Sequence, residues 1–334
     1  MKRSYAVLVF IVVMLSLIPG SPGRIVLCAE REHSANEVDF GFKLYLYNFY
    51  GVTAIDNHKV CAVGNAGTIC LSEDGGKNWR VQGSGVKMEL YDVKFAGPMT
   101  GWVVGRFGTI LRSDNGGKSW EKLNSGIEYS LLSLCVVDEA HLWAVGEWGI
   151  ILHSEDGKTW KTQNVKTDKI YQDVFFVDHT HGWVVGEFGT ILHTKNGGRD
   201  WIAQQSPLGR ISLFGVFFKD RLRGWIVSMD GHILATDNGG ESWVELKSPV
   251  NKTLFDIKVI ENRGFAFGLE GTFLISNDGG KIWLKSKNDL GTLSWVCSSS
   301  FIGKLKGWIS GGGGALFYTT DGGEHWHLPS KFFF

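Results

Sequence analysis

The chain has 334 residues, with 34 basic and 34 acidic side chains and a formal net charge of zero. That balance argues against a general nucleic-acid binder, which needs a basic excess. An apolar fraction of 43% is ordinary for a globular chain, but 45 glycines and 14 tryptophans are not; glycines and aromatics in such numbers point to short strands joined by tight turns.

Residues 1–29 read as an export signal. Lys2 and Arg3 give a positive start, and an apolar run from Tyr5 to Ile18 is broken by Pro19-Gly20. The run is shorter than the ~20 residues of a membrane span and suits a signal peptide. Leu27 and Ala29 fit cleavage after Ala29. An uncleaved anchor is the alternative, and lipidation at Cys28 is disfavoured by the bulky Leu27 before it. The mature protein is expected outside the cytoplasm. Residues 30–44 form an N-terminal segment. Within 38–48, "VDFGFKLYLYN" is strand-like and a candidate to close a ring, although the last repeat by its own phrase already owns four strands.

Residues 45–334 repeat one phrase seven times. Its closing tryptophans are Trp79, Trp120, Trp160, Trp201, Trp243, Trp283 and Trp326, at spacings of 41, 40, 41, 42, 40 and 43. Each unit has an apolar stretch ("LYDVKF", "YQDVFF", "LFDIKV"), then "GWVVG" or a variant, then a two-residue turn and "GTIL" or similar. A Ser/Thr-rich turn with the tryptophan then opens a last strand. Four short strands in about 40 residues make a propeller blade. The expected fold is all-β: a seven-bladed β-propeller of four-stranded antiparallel blades. "WVVG" and "TILH" lack apolar/polar alternation, as expected of sheets covered on both faces.

The last turn reads S-x-D-x-G-x-x-W. Asp74, Asp156, Asp278 and Asp321 hold its acidic position in four blades, and Asn115, Asn196 and Asn238 in three; blade 3 is one residue shorter. The hydroxyl and the Asp/Asn oxygen are expected to accept backbone N–H groups inside the turn, with the tryptophan folding over it. Asn keeps the accepting oxygen and loses the charge. A structural role tolerates that swap; a shared metal or proton-transfer role does not.

These turns resemble the Asp-boxes of sialidases and related propellers. The full phrase, G-W-x-V-G-x-x-G-x-I-L-x-S/T-x-D/N-G-G-x-x-W, repeated about seven times behind an export signal, resembles the photosystem II stability/assembly factor family over residues 45–328. That resemblance implies a non-enzymatic factor without a cofactor. It would bind a protein partner, a subunit of a membrane-protein complex, and work as a monomer in a thylakoid lumen or bacterial periplasm. The family is described with an arginine patch on one face. Here the turn carries Arg106 once, and its equivalents are Glu147, Glu187, Met229 and Leu269.

Binding specificity should lie where the blades differ. The turns between second and third strands carry Arg106-Phe107, Glu147-Trp148 and Glu187-Phe188 in blades 2 to 4, against Met229-Asp230, Leu269-Glu270 and Gly312-Gly313 in blades 5 to 7. Three neighbouring aromatic tips suggest a protein-binding patch, unless each ring lies sideways on the next blade. Lys87, Lys166, Lys169, Arg210 and Lys252 in the blade connections would make the same face mildly basic.

Across a two-residue turn at Asn65-Ala66, Cys61 and Cys70 would face each other, either as a disulfide or as two buried thiols. Cys135 and Cys297 lie too far apart to pair, and no CxxC or metal spacing occurs. A sialidase-type glycosidase is the alternative function; it would need clustered arginines and a tyrosine beside a carboxylate. The nine arginines after residue 29 are scattered, although Tyr91, Asp92, Tyr171, Asp173 and Asp256 fall on inner strands. A carbohydrate- or surface-binding propeller is a further alternative.

Overall fold

A computed structural model describes residues 46–163, 167–288 and 290–333. The export signal, the 30–44 segment, the first part of 38–48 and Lys166 lie outside the described residues. The rest forms seven antiparallel sheets in chain order, one per repeat. Blade 2 is typical, with strands Leu90–Ala96, Thr100–Gly105, Ile110–Ser113 and Glu121–Leu123. Its second strand, Thr100–Gly105, is buried throughout, because neighbouring blades cover both faces. The missing alternation in the sequence has this cause.

The core is divided between the blades. Among the described residues seven buried clusters occur, each built from residues of two neighbours. The tryptophan of "GWVVG" is the recurring link, since its indole N–H reaches the next blade's box. Trp102 Nε1 donates to Gly157 O, Trp143 to Gly197, Trp183 to Gly239 and Trp225 to Gly280. Trp308 of blade 7 donates to Gly75 O of blade 1 at 2.8 Å. The same bond that joins neighbours thus closes the circle.

Ring closure departs from expectation. Among the described residues blade 7 has three strands and one further bridge, Tyr318 to His327, rather than four strands. The chain end Lys331–Phe333 instead adds a fifth strand to blade 1, parallel to Asn78–Gln82. It seats Phe332 among Phe49, Trp79 and Trp308. Leu46–Asn48 form no strand. They tie the start of blade 1 to the turn of blade 7, through Gly314 N to Tyr47 O and Gly313 N to Asn48 Oδ1.

The turns between second and third strands also differ from the two-residue reading. Six of them are three-residue 3-10 turns whose middle residue has a left-handed backbone, such as Ala66, Phe107, Trp148 and Phe188. The first flanking glycine serves close approach: a Cβ on Gly146 would collide with Ser130 O. The longer turn shifts the register by one residue. Cys61 pairs with Leu71, and Cys70 with Ala62. A one-residue shift reverses the facing of every side chain, so Cys61 joins the core between blades 1 and 2 while Cys70 joins the core toward blade 7. Both are free buried thiols.

Candidate functional site: the turn face and the central channel

The boxes are scaffold. In blade 1 Ser72 Oγ donates to Asp74 Oδ1 and accepts from Gly76 N, while Asp74 Oδ1 accepts from Asn78 N. Asn115, Asn196 and Asn238 accept the equivalent backbone N–H groups through Oδ1. In the short box of blade 3, Asp156 takes the N–H groups of Lys158 and Thr159. Asp321 repeats the pattern in blade 7. These backbone donors hold Asp156 and Asp278 below the ordinary aspartate range.

The box tryptophans are less uniform than their spacing. Trp79, Trp160, Trp243 and Trp283 are buried, whereas Trp120, Trp201 and Trp326 are half-buried. Trp79 and Trp283 bond within their own boxes, to Gly76 and Gly280. Trp201 and Trp243 instead reach Gln163 and Gln204 of the preceding blade. The box is therefore a joint between blades as well as a local turn.

Blades 2 to 4 differ from the rest on the face where inner strands begin. Pairing of Leu90 with Gly105 places the turn 106–108 beside that beginning. Phe107, Trp148 and Phe188 are 55%, 50% and 48% exposed at the turn tips; they do not lie flat under the next blade. All three have positive φ, 53°, 58° and 55°, a conformation bulky residues seldom adopt. Each ring has one flanking partner. Arg106 lies 4.7 Å over Phe107 and pairs with Glu89 at 3.1 Å. Arg210 lies 4.7 Å over Phe188. Tyr129, itself exposed, sits 6.0 Å from Trp148.

The turn carboxylates have local duties. Glu147 accepts Ser130 N and Glu187 accepts Ile170 N, both at 3.0 Å. Of the expected cations, Lys87 is exposed, Lys169 Nζ donates to Thr190 Oγ1, and Lys252 pairs with Glu270. Exposed Met88, between Lys87 and Glu89, extends the apolar arc beyond the sequence reading.

The central channel encloses ≈ 560 Å³. Tyr50, Tyr91, Phe214 and Phe255 line it at the second residue of their inner strands. Tyr50 stacks on Trp295 at 5.6 Å. Burial pushes the Tyr50 hydroxyl up to about 12 and raises Tyr91 as well. Of the glycosidase candidates, Asp92, Asp173 and Asp256 reach the channel, while Tyr171 is buried in the core between blades 3 and 4.

The three carboxylates are occupied between blades. Asp92 accepts Leu134 N of blade 3 and pairs with Lys94. Asp173 takes Ser133 Oγ–H of blade 3 at 2.6 Å and Val216 N of blade 5 at 2.9 Å. Asp256 takes Ser299 Oγ–H of blade 7 and pairs with Lys258 at 2.6 Å. Burial pushes Asp173 up to about 6, against Lys258 and its hydrogen bonds. Burial also opposes charge on Lys258, but Asp256 and Asp173 hold it above the ordinary lysine value. Cys135 and Cys297 line the same channel as free thiols, and burial raises Cys135 to about 12.

Sequence reading missed the lysines and serines that complete this belt. The partners of Ser133 and Ser299 lie 40 and 43 residues away on other blades, so no local motif marks the serines, whereas Lys94 and Lys258 stand two residues after Asp92 and Asp256 inside "LYDVKF" and "LFDIKV".

A family model described as "Photosynthesis system II assembly factor YCF48" matches residues 79–161, 157–249 and 241–330. No curated protein matches at the sequence level. Among solved structures, "YCF48 bound to D1 peptide" is 22% identical with a TM-score of 0.71, covering 82% of this chain and 92% of that one. YCF48 from Cyanidioschyzon merolae is 18% identical with a TM-score of 0.70, covering 82% and 95%. An ancestral GH74 enzyme is 15% identical with a TM-score of 0.66, covering 81% of this chain and 44% of its own. At these identities the structural likenesses speak for the propeller fold alone.

Proposed function

The chain belongs to the family of the photosystem II assembly factor YCF48, and from that premise we propose that it is an exported, non-enzymatic scaffold that binds a polypeptide segment of a membrane-protein complex. The observation that carries this reading is the arc on blades 2 to 4: Phe107, Trp148 and Phe188 are half-exposed at neighbouring turn tips, where the equivalent positions of blades 1, 5 and 6 carry Ala66, Asp230 and Glu270. Aromatic rings beside arginines are typical anchors of protein interfaces. A structure of a relative carries a bound D1 peptide, which favours a peptide segment of a protein as ligand.

The proposed chain has a signal over 1–29, an N-terminal segment over 30–44 that could close the ring, and a monomeric propeller over 45–334, in a periplasm or thylakoid lumen. Carbohydrate hydrolysis is disfavoured because Asp92, Asp173 and Asp256 already hold backbone or hydroxyl donors of other blades.

A photo-crosslinking residue at position 188, introduced in the native cells, tests the proposal. A membrane-protein subunit should be captured, and capture from a neighbouring position should fail when Phe107, Trp148 and Phe188 are all replaced by Ser. Undiminished capture by a folded triple variant removes the arc from the function. Turnover of a glycoside by the purified protein would replace the scaffold reading altogether.

A further inference from the structure

The face opposite the aromatic arc carries a series of links between neighbouring blades. In three blades the loop between first and second strands offers one residue that reaches back to the preceding blade. Arg221 of blade 5 binds Asp178 of blade 4 at 2.7 Å. Lys304 of blade 7 binds Glu261 of blade 6 at 3.2 Å. His179 holds the equivalent position in blade 4, and its Nε2 lies 2.7 Å from Asp138 Oδ2 of blade 3. Two junctions thus use a permanent cation and one uses an imidazole.

The histidine junction has a second imidazole. His141 Nδ1 lies 2.9 Å from Asp138 Oδ1, and the rings of His141 and His179 stack with centroids 4.0 Å apart. Blade 4 repeats the loop with His181 beside Asp178, but there Arg221 occupies the third place. The ligand-capable atoms of Asp138, His141 and His179 all lie within 4.8 Å of one another. A tetrahedral ion with bonds of ~2.1 Å separates its ligand atoms by ~3.4 Å. Small side-chain rotations would bring the trio to that spacing, and half-exposed His179 leaves room for water in the fourth place.

We propose that Asp138, His141 and His179 form a site for a divalent transition ion of the zinc class, which clips blade 3 to blade 4. Two imidazoles and a carboxylate suit zinc, nickel or copper and disfavour magnesium and calcium, which prefer all-oxygen sites. Asp138 is already positioned, because its Oδ1 accepts the backbone N–H groups of Ala140 and His141. No local motif announces the site, since its third ligand comes from the next blade.

The test is calorimetric titration of Zn²⁺ into the purified chain bearing no histidine tag. The informative variant is His179→Arg, which copies the neighbouring junction: it keeps an ion pair to Asp138 and removes a metal ligand. The wild type should take up one Zn²⁺ and gain melting temperature. His179→Arg should lose at least about tenfold in affinity while its zinc-free melting temperature stays near that of the wild type. His141→Gln should lose affinity likewise, and serves if the arginine variant misfolds. No saturable zinc uptake by the wild type, unchanged affinity in both variants, or displacement of zinc by equimolar Mg²⁺ would overturn the site.

Discussion

The box aspartates and Asp173 of the channel are pushed in opposite directions. The box aspartates at the outer rim, such as Asp156 and Asp278, sit in turns whose own backbone N–H groups solvate the charge, and they are driven below the ordinary range. Asp173 in the channel holds partners from two other blades, yet burial raises it to about 6. The box bonds are local, so they repeat with the sequence. The channel bonds are long-range and differ from one junction to the next. Local turn chemistry builds each blade; unlike contacts between blades set the ring.

The largest test of that contrast compares two tryptophans of blade 4. Trp183 is fully buried, stacks 3.5 Å from Phe218 and donates to blade 5, whereas the box residue Trp201 is half-buried. Trp183→Ala should cost ~3–5 kcal/mol and lower the melting temperature by roughly ten degrees. Trp201→Ala should cost about half as much. Equal shifts would mean that the box, and not the joint between blades, dominates stability.

The next test is pH. Asp173 lies above the ~3.9 of an unfolded aspartate, so the folded chain binds its proton more tightly. Its stabilising contribution is full below about pH 4 and is lost as pH rises to about 6. His193 has the opposite sign: burial lowers it to about 4, against ~6.5 unfolded. Its contribution is full above that value and is lost as pH falls toward 4. The two slopes oppose each other in one window. Melting curves of Asp173→Asn should therefore fall more steeply between pH 6.5 and 4 than those of the wild type; parallel curves would contradict the assignment.

A smaller effect is expected at a box. Asp278→Asn copies three natural boxes and should cost about 1 kcal/mol or less. Because folding depresses Asp278, its contribution is present above about pH 4 and lost as pH falls further. The variant should lose that part of the acid sensitivity. A cost of several kcal/mol would show that the charge itself matters.

The smallest effect separates binding from folding on the arc. Phe188→Gly relieves a φ of 55° and should stabilise the fold by a few tenths of a kcal/mol to about 1. A loss above 1 kcal/mol in thermal melts would mean that Arg210 and the ring support the fold rather than a partner.

By itself the sequence determined the number of blades, the order of strands within each and the composition of the boxes. Those features depend on contacts within about 40 residues, and the phrase from Gly101 to Trp120 repeats wherever its physics repeats. The arc was legible as residue types at turn tips; its exposure was not, because exposure depends on what the next blade covers. Only the tertiary structure decided the turn length that parts Cys61 from Cys70, the seating of Phe332 on blade 1, and the partners of Asp173 and Asp138. Each depends on backbone register or on residues from another blade. A period in the sequence records what every blade shares, whereas these contacts arise where neighbouring blades differ.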